Sequence, residues 1–175
     1  LPCRTPTSLT PRTERIMDQD SHNLYMQRAA EISRQKMLAG EGGPFGAVIV
    51  RDKNIIGEGW NRVTSTADPT AHAEIVAIRN ACSRVGSFTL EGAVIYTSCE
   101  PCPMCLGAIW WARIARIYYA NTRADAARIG FDDAEIYQEV ASDLPDRRIP
   151  LVHCPNQEAA QAMREWTEKQ DKIPY

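Results

Sequence analysis

Two short runs constrain this chain more than any other feature: His72-Ala73-Glu74 and, about thirty residues later, Pro101-Cys102-Pro103-Met104-Cys105. Together they offer one imidazole and two thiols at metal-ligand spacing. Such a set leaves a tetrahedral zinc with a fourth position for water, which is the catalytic rather than the structural pattern. His72, Cys102 and Cys105 are therefore the candidate zinc ligands. The fold must bring both runs to one point. Pro103 fits the first position of a helix, so Cys102 falls near a helix N-terminus, where backbone N–H groups and the dipole favour thiolate. Cys105 lies one turn further on and can face the same ion. Asp68-Pro69-Thr70 marks a second helix start just before His72. His72 and Glu74 would point to different sides in mid-helix, whereas at a helix tip they can converge. Glu74 is then the acid/base partner of a bound water whose pKa zinc lowers from about 16 to about 7. Cys99, at a strand end before the turn, reads as lining or packing rather than as a fourth ligand. The plainer alternative is a closed zinc knot or a core of thiols, but no structural zinc site needs Glu74.

Around these runs, helix and strand patterns alternate. Residues 22–39 read as a helix that Gly40 is placed to stop. Gly42-Gly43-Pro44 is a turn, and β-rich runs at 45–50 and 55–60 flank Asp52-Lys53-Asn54 as a hairpin. A helix is expected over 71–85, a strand over 93–98, a helix over 103–112 and a strand over 114–120. A short helix around 134–140, a last strand over 149–153 and a terminal helix over 156–172 follow. This alternation predicts an α/β fold with a mostly parallel sheet covered on both faces, plus the hairpin. Residues 1–20, rich in Pro, Thr and Ser, read as a disordered N-terminal extension. Residues 21–175 read as a single zinc-binding domain with a C-terminal helix and tail.

Charge and cysteine usage narrow the class. The net charge is −2 and no Lys/Arg cluster appears, which argues against nucleic acid as a partner. No stretch is apolar and long enough to cross a membrane; the most hydrophobic region, 106–120, is interrupted by Arg113 and Arg116. The first residues carry no apolar signal core. The six cysteines fit metal ligands and buried thiols better than a disulfide framework, which places the protein in the cytoplasm.

The paired H-x-E and P-C-x-x-C runs are the signature of the zinc nucleobase deaminases. Four further stretches extend the likeness: 42–50, from Gly42-Gly43-Pro44-Phe45; 68–74; 96–109; and Ile129-Gly130-Phe131-Asp132-Asp133. On these the chain resembles the bacterial guanine deaminases of the cytidine/deoxycytidylate deaminase superfamily, from about residue 22 to residue 175. The zinc runs specify only the superfamily; Gly130-Phe131-Asp132-Asp133 and the aromatic C-terminus narrow it. The resemblance implies a three-layer α/β/α sandwich with a mixed five-stranded sheet and one Zn2+ per subunit. It implies a homodimer whose C-terminal segment crosses to cover the neighbour's active site. It implies hydrolysis of free guanine at C2 to xanthine and ammonia, with Glu74 as the catalytic acid/base. On matching positions, Asn61 would hydrogen-bond the purine and Asp133 would accept from its N1–H and 2-amino edge. Phe45 would pack on the ring and Tyr175 would close the pocket from the partner subunit. Ala73 is a further expected substrate contact; of Trp110 and Trp111, which sit on the helix that carries Cys105, one is expected in the core and Trp111 at the border of the pocket.

Residue chemistry agrees in part. Guanine presents donors at N1 and N2, and a carboxylate is the natural reader of such an edge. Each contact residue also has a plainer reading: Asn61 as a turn residue, Asp132 and Asp133 as a turn or helix cap, Phe45 as core, Tyr175 as an ordinary terminus. The same zinc chemistry would serve guanosine, cytosine, cytidine, an aminotriazine or a tRNA adenosine. A non-catalytic zinc-binding dimerisation module is the reading from another class.

Overall fold

The protein is represented by a computed structural model that describes residues 19–174. The extension up to residue 18, and Tyr175, lie outside the described residues. Helix α1 spans Gln19–Leu38, so it begins within the last two residues of the expected extension. Strands β1 (Gly46–Arg51) and β2 (Asn54–Trp60) form the expected hairpin. They turn through Asp52 and Lys53, both at positive φ, as a tight hairpin turn requires. A single-turn helix, α2 (Val63–Thr66), leads to α3 (Ala73–Val85), then β3 (Val94–Cys99), α4 (Pro103–Trp111) and β4 (Arg116–Asn121). Three further α-helices follow, α5 (Arg123–Arg128), α6 (Ala134–Ala141) and α7 (Gln157–Glu168), with a 3-10 turn over Leu144–Asp146 between the last two.

The sheet runs β2-β1-β3-β4. Strand β1 is antiparallel to both β2 and β3; only β3 and β4 are parallel. The expected mostly parallel sheet is therefore mixed, because the hairpin leaves β1 reversed between its neighbours and α4 supplies the one parallel crossover. Four strands form among the described residues, not five. The expected last strand, 149–153, makes no ladder. Pro150 removes a donor from the second position of that run. The N–H groups of Arg148 and Ile149 instead donate to the Glu139 carboxylate of α6, both at 3.0 Å.

Alternation along the central strands builds two cores. Ala47, Ile49 and Ile95 pack with Ala73, Ala77 and Ala81 of α3 and Ile109 of α4. Val48, Val50 and Tyr96 pack with Tyr25, Ala29 and Ile32 of α1. Successive side chains of β1 and β3 thus serve opposite faces. By contrast, α7 has no buried residue, and Met163 and Trp166 on it are exposed, as are Leu151 and Val152 before it.

One contact sets where the functional residues fall. Ala73, Ala77 and Ala81 recur at a four-residue spacing, so they share one face of α3. Opposite them on β2 stand Gly57 and Gly59. A Cβ at Gly59 would lie 2.2 Å from the Ala73 carbonyl oxygen and 2.4 Å from the Ala77 nitrogen. At Gly57 it would lie 2.5 Å from the Ala77 carbonyl oxygen. Helix backbone therefore rests directly on strand backbone, which places the first turn of α3 against the end of β2. We expect Gly59→Ala to lower unfolding stability by about 3 kcal/mol, because backbone rather than a mobile side chain would have to move. Urea denaturation of the variant checks this; an unchanged midpoint would mean that the two elements are not held at contact distance.

Candidate active site

His72 and Cys102 occupy equivalent positions: each is the residue immediately before a helix, with extended backbone and a side chain not used for capping. Both side chains are therefore available to a ligand at the helix ends. Cys105 lies in the first turn of α4 and is fully buried. One ligand atom from each of these three residues falls within 4.8 Å of the others. The His72 Nδ1 atom lies 3.6 Å from the Sγ atoms of both Cys102 and Cys105. Bonds of about 2.05 Å to nitrogen and 2.3 Å to sulfur at the tetrahedral angle put N and S about 3.6 Å apart. Spacing and donor chemistry both fit zinc. As thiols, the cysteines share a proton unequally. Cys102 is held down to about 4, first by its hydrogen bond with Cys105 and then by that with His72. Cys105 is pushed up by the same contact and by burial. His72 is raised, chiefly by Cys102.

Glu74, in the first turn of α3, is 6% exposed. Burial raises the pKa of its carboxyl. Its Oε2 lies 3.4 Å from Cys105 Sγ, so the acid/base candidate abuts the ligand cluster. Cys99 lines the same space, and its thiol donates to the Thr122 carbonyl at 3.6 Å. It falls outside the ligand set, and burial pushes its pKa up to about 11.

His72, Glu74 and Cys102 form one wall of a cavity of about 580 Å³, within the range of ordinary ligand pockets. Gly43, Phe45 and Asn61 form a second wall; Arg123, Phe131 and Asp133 form a third. Asn61 is buried, and its Oδ1 accepts from the N–H groups of Gly43 and Val63, both at 3.3 Å. It therefore does serve the turn. Both bonds use Oδ1, which leaves Nδ2 to donate to a ligand. Phe45 meets Phe131 edge to face, with ring centroids 4.9 Å apart. The two aspartates divide their roles. Asp132 accepts from the Ala134 N–H at 2.9 Å, whereas Asp133 precedes α6 without a side-chain cap bond. The Asp133 carboxyl is raised, first by burial and then by the charge of Cys102.

Two expected contacts are not brought to this cavity. Ala73 is fully buried under β2. Trp111 is 60% exposed and borders a separate apolar groove with Ile75, Phe88 and Met104. Six residues beyond Cys105 carry it about 240° around the helix, away from the ligands. Tyr175 lies outside the described residues. Conversely, Arg123 was not anticipated. It begins α5 after Thr122, whose side chain forms a capping box with Asp125. The Thr-x-x-Asp run is a legible helix start that places Arg123 at the rim. There its guanidinium lies 4.6 Å from the Tyr137 ring centroid. Thr97 was missed as well. It is 1% exposed on β3, with its hydroxyl 3.3 Å from Glu74 Oε1.

Comparison with known proteins follows the same lines. Residues 19–121 match the family described as the cytidine and deoxycytidylate deaminase zinc-binding region. The chain is 46% identical over 155 residues to a guanine deaminase of Bacillus subtilis, covering 89% of this chain and 99% of that protein. The crystal structure of a Bacillus subtilis guanine deaminase superposes with a TM-score of 0.85 at 47% identity, covering 88% of this chain and 98% of that one. A tRNA-specific adenosine deaminase of Haemophilus influenzae is 42% identical over 114 residues, 62% of this chain and 65% of that protein.

The ligand geometry makes its own prediction. The purified protein should carry about one zinc per chain, whereas Cys102→Ala and His72→Ala should each retain less than roughly a tenth of it, since both remove a first-coordination donor. Elemental analysis after gel filtration measures this, and full zinc in either variant would place the ion elsewhere. With its donor set, its fold and its sequence match in agreement, the chain belongs to the cytidine and deoxycytidylate deaminase family.

Proposed function

We propose that this protein catalyses the zinc-dependent hydrolytic deamination of free guanine to xanthine and ammonia. The observation that carries the proposal is the placement of Glu74. A buried carboxylate that no structural zinc site needs lies against the His72, Cys102 and Cys105 cluster, in a cavity that Asn61 and Asp133 also line. The similarity to a guanine deaminase along nearly its full length supports the choice of substrate.

His72, Cys102 and Cys105 would hold the zinc, which supplies Lewis-acid activation of a water when bound. Glu74 would take one proton of that water as the water oxygen bonds to C2 of the purine, and would pass it to N3, the ring nitrogen beside C2. It would then take the remaining proton of the former water and deliver it to the 2-amino group, so that the C2–N bond breaks, the C2 carbonyl forms and ammonia leaves. The raised pKa of Glu74 suits a group that must hold a proton and release it within one turnover. Asp133 accepts from the N1–H and 2-amino edge, Asn61 donates through Nδ2, and Phe45 packs on the ring.

A panel assay for ammonia release tests this reading, with guanine, guanosine, adenine, cytosine, cytidine and an aminotriazine as substrates. Guanine should be the substrate turned over, with xanthine as product. Turnover of guanosine or a pyrimidine instead would discard the pocket roles of Asn61 and Asp133 and leave the zinc–Glu74 chemistry intact. Glu74→Gln should lower guanine turnover by at least about 100-fold while zinc content stays full; an unaffected rate would sink the mechanism.

The same reading extends to architecture. The two cores on opposite sheet faces support a three-layer α/β/α sandwich. Residues 21–175 are read as one domain acting in the cytoplasm on a small-molecule nucleobase. A homodimer with exchanged C-terminal segments is supported by α7, which buries nothing, and by the exposed Trp110 and Trp111 of α4. A bare base also leaves much of the cavity unfilled, room that a partner's tail ending in Tyr175 would occupy. Light scattering should give twice the 19.6 kDa chain mass, and a monomer at micromolar concentration would overturn the exchange.

A further inference from the structure

We infer that Thr97 is a positioning residue for the reaction, holding the Glu74 carboxylate in place through its hydroxyl. The inference deepens the deaminase reading and rests on it. Thr97 pairs with Ala47 on one side and Tyr119 on the other, in the middle of the sheet. It follows Ile95 on the face that packs against α3 and α4, where the neighbouring positions Ala47, Ile49 and Ile95 are all apolar. A valine would have the same shape there and nothing to satisfy. A buried hydroxyl needs partners, and this one has two: the Cys99 carbonyl oxygen at 2.9 Å and Glu74 Oε1 at 3.3 Å.

The other oxygen of Glu74 faces Cys105 Sγ. A thiolate ligand has no proton to donate, so a zinc-loaded site offers Glu74 no hydrogen bond from Cys105. Thr97 then provides the side-chain hydrogen bond that fixes the carboxylate. The Thr97 hydroxyl lies within reach of the Glu74 carboxylate and can donate to its Oε1. One group on a rigid central strand thus orients Glu74, which keeps the carboxylate within reach of water and substrate.

The test compares Thr97→Val, which keeps shape and removes the hydroxyl, with Thr97→Ser, which keeps the hydroxyl and removes the methyl. Thr97→Val should lower kcat for guanine by roughly ten- to a hundredfold, with KM within about twofold of the parent. Its zinc content and its affinity for xanthine should match the parent. Thr97→Ser should restore most of kcat. A folded, zinc-loaded Thr97→Val with parental kcat overturns the inference. So does a Thr97→Ser as slow as Thr97→Val, because the methyl rather than the hydroxyl would then matter. If Thr97→Val does not fold, Thr97→Ala against Thr97→Ser decides in the same way. A parent inert on guanine but active on another substrate of the panel overturns the guanine reading alone, and the comparison is then made on that substrate. A parent inert on every substrate overturns both.

Discussion

The direct contact of α3 backbone on β2 backbone is the constraint on which the site depends. Glycines at 57 and 59 and alanines at 73, 77 and 81 remove the side chains that normally hold a helix about 10 Å from a sheet. The first turn of α3 is thereby fixed beside the end of β2. That brings His72 and Glu74 to the same corner as Asn61, which follows β2 directly. Parallel pairing of β3 with β4 does the equivalent on the other side. It requires a crossover, and the crossover helix α4 starts where β3 ends. Two helix starts therefore meet at one end of the sheet, where β2 and β3 finish, and the ligands are the residues at those starts.

This geometry explains why so few side chains suffice. Neither His72 nor Cys102 is diverted into capping its own helix. Glu74 is buried with no guanidinium or ammonium against it among the described residues, and burial raises the pKa of its carboxyl. The opposite wall is built on shorter, later elements. There α6 is tied to the β3–α4 turn by the Tyr137 hydroxyl, which donates to the Pro101 carbonyl at 3.3 Å. The ligand cluster thus stands on the central strands and helices, while Phe131, Asp132 and Asp133 of the cavity stand on the connection between α5 and α6.

The convergence of His72, Cys102, Cys105 and Glu74 was legible because it is local: spacing within each run, and a helix start for each, are properties of neighbouring residues. The hairpin and the helices α1, α3, α4 and α7 were legible for the same reason, to within a few residues at their ends. The pairing of strands was not. Strand patterns at 45–50 and 93–98 do not reveal that these strands lie antiparallel, and a run such as 149–153 reads as β until Pro150 and the competing Glu139 carboxylate are weighed. Trp111 shows that a place on the helix that carries Cys105 does not say which way a side chain faces. Thr97 shows the reverse: its significance lies entirely in Glu74, which is remote in sequence and adjacent in space. Residue type alone could not separate Asp132 from Asp133, since either can cap a helix; only the hydrogen bond to Ala134 does.

The meeting of two helix N-termini has an electrostatic consequence. Each end presents a fractional positive charge of about half a unit. Against these, once zinc is bound, would stand two thiolates, the Glu74 carboxylate and the divalent cation that His72, Cys102 and Cys105 would hold. The contributions come close to cancelling, so the centre exerts little net pull on any ion. Such a centre favours uncharged rings entering and an uncharged amine departing. Discrimination by charge falls to the rim, where Glu100, Asp132 and Asp133 outnumber Arg123. A phosphate-bearing nucleotide would meet repulsion there before reaching the zinc.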